Sequence, residues 1–157
     1  MIWSEVDFGK YRGKGKTLPQ ILFSDPDWFF WAIDDNVFQN KGSLYSEAKD
    51  LDYKARNIKI PDNEHGILVV EYVIHRPSEK FSHFEVVPAN QPIHSGSSPT
   101  HRKTVIDMSF PRQLKGYDKL GCKKFLSFLK VYVFGNMPVT FTKKKCEDFF
   151  NNPDNFS

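Results

Sequence analysis

An α+β fold is the class this sequence predicts, on three observations. Capped, aromatic-rich helical segments precede residue 57, alternating strand patterns run from 57 to 110, and a long amphipathic helical pattern covers 117 to 134. The architecture expected is an N-terminal hairpin with short helices, an antiparallel sheet of about four strands, and C-terminal helices packed on it. The chain has 157 residues, which fits one domain over 1–157.

In chain order, Ile2 to Tyr11 alternates as a strand entering a glycine-rich turn. Thr17 is placed to cap a helix with Pro19 in its first turn. Asp25 caps a second helix with Pro26 at its first position, expected to reach Phe38, and Ser43 opens a third through Leu44, Ala48, Leu51 and Ala55. Strands follow at Asn57 to Ile60, Gly66 to His75, Lys80 to Pro88 and Lys103 to Phe110. The turns Pro61-Asp62-Asn63-Glu64 and Arg76-Pro77-Ser78-Glu79 make the first three an antiparallel meander. Ala89 to His101, with its prolines, serines and glycine, reads as a loop. Along Tyr117 to Phe134, Lys119, Lys123 and Lys130 fall within about 40° of one another, opposite Phe125, Phe128, Leu129 and Tyr132. A last helix, capped by Thr142, sets Lys143, Lys144 and Lys145 in a first turn where the helix dipole disfavours cations.

Phenylalanine occurs 15 times and aromatics make up 15% of the chain, so the core is expected to be built from rings. Net charge is only +3, but it is unevenly placed. Residues 25 to 52 carry a balance of −5, and residues 102 to 145 a balance of +9. That polarity suits an anionic partner, or an internal attraction between the two segments. The two cysteines, Cys122 and Cys146, belong to no ligand pattern and no disulfide framework. With no signal-like start and no run of 18 apolar residues, the expectation is a cytoplasmic protein that does not enter a membrane.

The most distinctive segment is Phe8 to Leu18, where Lys10, Arg12, Lys14 and Lys16 alternate with Gly9, Gly13 and Gly15 around Tyr11. Glycines admit close backbone approach and cations hold anions, so this turn is a candidate phosphate site. It is followed by Asp25-Pro26-Asp27-Trp28-Phe29-Phe30-Trp31. Together these residues resemble the small C-terminal module of exodeoxyribonuclease X-like proteins. That pattern runs Phe-Gly-Lys-Tyr-Lys-Gly-Lys-Thr-Leu, then Asp-Pro-x-aromatic in a Trp-containing helix. The matching positions are Phe8, Gly9, Lys10, Tyr11, Arg12, Gly13, Lys16, Thr17, Leu18, Ile21, Asp25, Pro26, Trp28 and Trp31, with Lys14 and Gly15 inserted. The match covers residues 6 to 38 and carries over no active site. The exonuclease chemistry of those proteins lies in a separate domain whose acidic motif begins Asp-x-Glu, whereas Glu5-Val6-Asp7 here has the reverse order. The resemblance implies an accessory module that contacts nucleic acid.

Catalytic motifs are not satisfied. Gly15-Lys16-Thr17 follows Gly9 by five intervening residues where a phosphate loop needs four. Glu71, Glu85 and Asp107 each fall on an expected strand, but the lysine usual in metal-dependent nucleases is missing after Glu71 and Glu85. The five histidines form no i, i+4 pair, and Ser95-Gly96-Ser97 is no nucleophile elbow. Ser95 to Lys103 has a composition able to wrap a phosphate. The leading expectation is therefore a non-catalytic, cofactor-free nucleic-acid-binding or accessory module. Its contacts are Lys10, Arg12, Lys14 and Lys16, with Tyr11 stacking on a base and Lys119, Lys123 and Lys130 adding a ridge. A protein-interaction module exploiting charge polarity, and a divalent-metal-dependent nuclease, are the alternatives.

Overall fold

The computed structural model describes residues 1–93, 99–135 and 140–157. The fold is α+β, with helices α1 (Leu18–Leu22), α2 (Pro26–Asp34), α3 (Ser43–Arg56), α4 (Phe110–Gln113), α5 (Lys119–Phe134) and α6 (Lys143–Asn151). Strands are β1 (Ile58–Lys59), β2 (Leu68–His75), β3 (Lys80–Pro88), β4 (Thr100–Lys103) and β5 (Val105–Ile106). They form a three-stranded antiparallel sheet in the order β3-β2-β4 and a two-stranded one, β1-β5. Helix α5 packs on β3.

Several boundaries depart from the sequence expectation for local reasons. Ile2 to Tyr11 is not a strand. Its hairpin is reduced to one antiparallel bridge, Glu5 to Thr17, with the Val6 amide donating to the Lys16 carbonyl at 2.8 Å, and Gly9–Tyr11 coils into a 3-10 turn. Gly9, Gly13 and Gly15 have φ of +62°, +72° and +66°, so the tight turn itself accounts for the three glycines. Helix α2 stops at Asp34, short of Phe38. Asn36 turns left-handed at φ +54° and the Val37 amide reaches back to the Ala32 carbonyl at 2.9 Å, which closes the helix end. Gly42 stands at the N-cap of α3, so Ser43 is its first helical residue.

The expected single sheet of four strands is divided. β1 does not join a meander with β2; Ile58 pairs with Ile106 instead. The stretch expected as one strand from Lys103 to Phe110 splits into β4 and β5 and then turns into α4. There the Asp107 carboxylate accepts hydrogen bonds from both the amide and the hydroxyl of Ser109, and Pro111 favours a helix start. Ser95-Gly96-Ser97 lies outside the described residues, and the Pro99 carbonyl accepts from the Ile74 amide at 3.0 Å.

The buried apolar residues form one cluster from Trp3 to Phe156, and rings dominate it. Tyr72 on β2, fully buried, stacks on Phe110 at 4.1 Å and lies parallel to Phe125 at 6.4 Å. Phe84 on β3 meets Phe125, Phe128 and Tyr132 of α5 at 5.0 to 5.9 Å. The Tyr72 hydroxyl donates to the Val105 carbonyl at 3.2 Å and accepts from the Asp107 amide at 2.9 Å, tying the larger sheet to the β5 segment. Burial raises the Tyr72 pKa well above its ordinary value, so the phenol stays neutral.

Tyr72→Phe keeps the ring packing but strands a half-buried carbonyl and a buried amide. It is expected to cost about 1–3 kcal/mol, seen as a lower denaturation midpoint with an unchanged m-value.

Candidate nucleic-acid interface

The basic turn is held against the start of α2 by one side chain. Asp25 caps that helix, accepting from the Trp28 amide at 3.4 Å. The same carboxylate accepts the Tyr11 hydroxyl at 2.7 Å and pairs with the Lys10 ammonium at 2.5 Å. Burial pushes the Asp25 carboxyl up, but hydrogen bonds from Lys10 and Tyr11 together with the Lys10 charge outweigh it and hold the group below its ordinary value. Burial first, then the contact with Asp25, raise the Tyr11 phenol. The four cations of the turn are therefore not all unpaired, contrary to the expectation from local sequence. Lys10 is neutralised, while Arg12, Lys14 and Lys16 are exposed and make no ion pair among the described residues.

Tyr11 is likewise engaged. Its ring lies edge-on to Trp28 at 4.9 Å, and Trp28 also contacts Phe8 at 6.1 Å and Phe38 at 6.0 Å. Trp31, three residues on, is 45% exposed.

Across from the turn runs the lysine ridge of α5. A cleft of about 360 Å³ is lined by Lys10 and Tyr11 from the turn, Ser24 to Asp27 from the α2 entry, and Lys119, Cys122, Lys123 and Leu126 from α5. It brings together cations more than a hundred residues apart in sequence. Asp118 caps α5, accepting from the Gly121 amide at 2.9 Å, which sets the rotation that turns Lys119 and Lys123 outward. The third ridge lysine diverges: Lys130 lies over the Phe141 ring at 4.4 Å.

Beneath the cleft, Arg112 pairs with Asp27 and reaches Asp34 at 3.3 Å. The Cys122 thiol donates to the Tyr117 oxygen at 3.9 Å. Burial pushes the Cys122 thiol up to about 11 and, helped by the charge of Asp27, raises the Tyr117 phenol further, so both stay protonated at neutral pH. Sequence reasoning did not single out Asp25, Asp27, Arg112, Tyr117 or Cys122 for this site. The cap role of Asp25 was legible; its grip on residues 14 and 15 positions earlier was not.

The other candidate groups lie elsewhere. The Thr17 hydroxyl of the near-miss phosphate loop is buried and donates to Glu147 at 3.0 Å. Glu71 and Glu85 face each other across β2 and β3, but Glu71 is buried and bound by Arg102 at 2.7 Å. Asp107 sits by Tyr72 on the other side of the sheet, held by Lys103 at 2.9 Å and by Ser109. The three acids do not converge, and among the described residues no group of three His, Cys, Asp or Glu side chains could hold a metal ion. Arg102 and Lys103, expected to help wrap a phosphate, are committed to Glu71 and Asp107.

No family model matches the chain, and no curated protein or solved structure matches it.

Asp25→Ala removes a cap and an ion pair at once and is expected to lower stability by about 1–2 kcal/mol near neutral pH. Because the folded pKa of Asp25 lies below its ordinary 3.8, its charge favours the folded state above that value, and the contribution is lost as pH falls through the folded pKa. The stability gap between wild type and Asp25→Asn should therefore shrink in acid. Denaturant titrations at about pH 7 and about pH 2.5 check the trend.

Proposed function

We propose that this protein is a non-catalytic nucleic-acid-binding or accessory module that grips phosphates along the cleft between its basic turn and α5. The observation that carries this reading is the cleft itself, where Lys119 and Lys123 of α5, which make no ion pair among the described residues, face the wall formed by the basic turn, whose Lys10 is paired with Asp25. Arg12, Lys14 and Lys16 extend the positive surface along the turn, exposed and without ion-pair partners among the described residues. Like charges set this close repel one another, and a polyanion relieves that repulsion by displacing condensed counterions. The role agrees with the resemblance of residues 6 to 38 to the accessory module of exodeoxyribonuclease X-like proteins.

The cleft supplies contacts rather than chemistry. Its thiol and its phenols are held protonated, and the carboxylates of Asp25 and Asp27 are bound by Lys10 and Arg112. A protein-docking role through charge polarity draws less support, because much of the acidic segment is used internally. Asp27 and Asp34 meet Arg112, Asp50 meets Lys54, and Asp52 meets Arg56.

Replacing Lys119 and Lys123 together by Ala should weaken binding to all sequences alike. The slope of log K against log salt should flatten by about 1–2 units, each phosphate contact contributing about 0.9 on duplex or 0.7 on a single strand. Both lysines are exposed, so melting should be unchanged. Fluorescence anisotropy with a labelled oligonucleotide across a salt series measures this. A wild-type protein that binds no nucleic acid at low salt would remove the reading.

A further inference from the structure

The solvent side of α2 carries a feature the phosphate contacts leave unused. Phe29, Phe30 and Ala32 face the core, whereas the Trp31 indole, at 45% exposure, remains in water. Trp3, by contrast, is 5% exposed. Trp31 continues a file of rings that begins at the basic turn, from Tyr11 to Trp28 at 4.9 Å and from Trp28 to Trp31 at 6.4 Å. An exposed indole joined through Trp28 and Tyr11 to the turn that carries Arg12, Lys14 and Lys16 is complementary to a ligand that has both a π-face and a negative charge.

The acids nearest Trp31 on the helix are accounted for in the same terms. Asp27 and Asp34, one turn to either side on its face, are both bound by Arg112, whose guanidinium lies 5.9 Å from the Tyr117 ring. Asp35, the next residue, makes no ion pair among the described residues and would repel phosphate. A strand stacked on Trp31 is thereby directed toward Tyr11 and the turn, away from Asp35. On the far flank of the turn, the recess containing Arg12 and Lys41 also holds Glu5 and Asp7, which make no ion pair among the described residues, whereas the acids of the cleft, Asp25 and Asp27, are bound by Lys10 and Arg112; this favours the Lys119 and Lys123 side for the continuing phosphates.

Resting on the function proposed above, we infer that the ligand is single-stranded nucleic acid, with one base stacked on Trp31 and its backbone held by the cations of the turn and α5. A duplex keeps its base faces stacked inside and offers an exposed indole only its phosphates and sugars. A single strand presents the π-face of every base, in a sequence-tolerant way.

The test compares an oligothymidylate of about twelve nucleotides with a mixed-sequence duplex of the same length, by anisotropy at low salt. The wild-type protein should prefer the single strand. Trp31→Ala should weaken single-strand binding roughly 5- to 100-fold and leave duplex binding unchanged, while Trp31→Phe retains part of the affinity because a ring remains. Quenching of tryptophan emission by the oligothymidylate should be strong in wild type and largely lost in Trp31→Phe. Thermal melting of both variants confirms folding, which exposure of the indole predicts to be intact. Equal or tighter duplex binding, or single-strand affinity unchanged in Trp31→Ala, overturns the inference while leaving phosphate binding in place. Failure of wild type to bind either ligand overturns both.

Discussion

Phe23, almost wholly buried, packs its ring against Phe134, Phe141, Phe149 and Phe150 at centroid distances of 4.6 to 5.7 Å. It lies between α1 and α2, and its partners are the last residue of α5, the approach to α6 and α6 itself. This side chain therefore joins the C-terminal helices to the N-terminal segment, together with the Thr17–Glu147 and Trp3–Asn151 hydrogen bonds. Rings are flat and have few torsions, so contacts among them admit fewer alternative arrangements than an aliphatic core would. The second ring group, Tyr72, Phe84, Phe110 and Phe125, anchors the other end of α5 on the sheet. Held at both ends, α5 has one orientation relative to the basic turn, and the cleft between them follows from it.

The electrostatic pattern divides into charges used to build the fold and charges left over. Glu71 with Arg102 and Asp107 with Lys103 are pairs whose carboxylates are buried, each supported by further hydrogen bonds to one partner, as burial of an ionised group requires. Arg112 joins the acidic segment to the basic C-terminal third through Asp27 and Asp34. Among the charges left outside these pairs are cations of the turn and of α5. Arg12, Lys14, Lys16, Lys119 and Lys123 keep exposed, unpaired heads among the described residues.

Asp25 shows how structure and binding surface share residues. Its carboxylate stabilises the α2 start, draws Lys10 inward and orients Tyr11 edge-on to Trp28. In the proposed binding mode the stacking ring is consequently Trp31, 45% exposed, rather than Tyr11, which the sequence pattern had suggested. A basic turn anchored in this way presents Arg12, Lys14 and Lys16 from a fixed base, lowering the ordering cost of a phosphate contact.

Helix caps, glycine turns and the period of the lysine ridge are local properties, and the sequence determined them. Asp25 with Pro26, Thr142, the β2–β3 hairpin and the span of α5 all follow from neighbours within a few residues, where dihedral preference and hydrophobic period act directly. The α+β class follows from the same signals. Tertiary structure alone decided which strands pair, because β1 reaches β5 across 45 intervening residues by a short match that carries no pattern of its own. It alone decided which charges are free. Lys10 and Lys16 look alike in sequence, yet one meets an acid 15 residues away and the other meets none among the described residues. It also decided that Lys119 and Lys123, but not Lys130, share the cleft with the turn. Ion pairing and cleft formation depend on distances between segments, and those were set by how the rings pack.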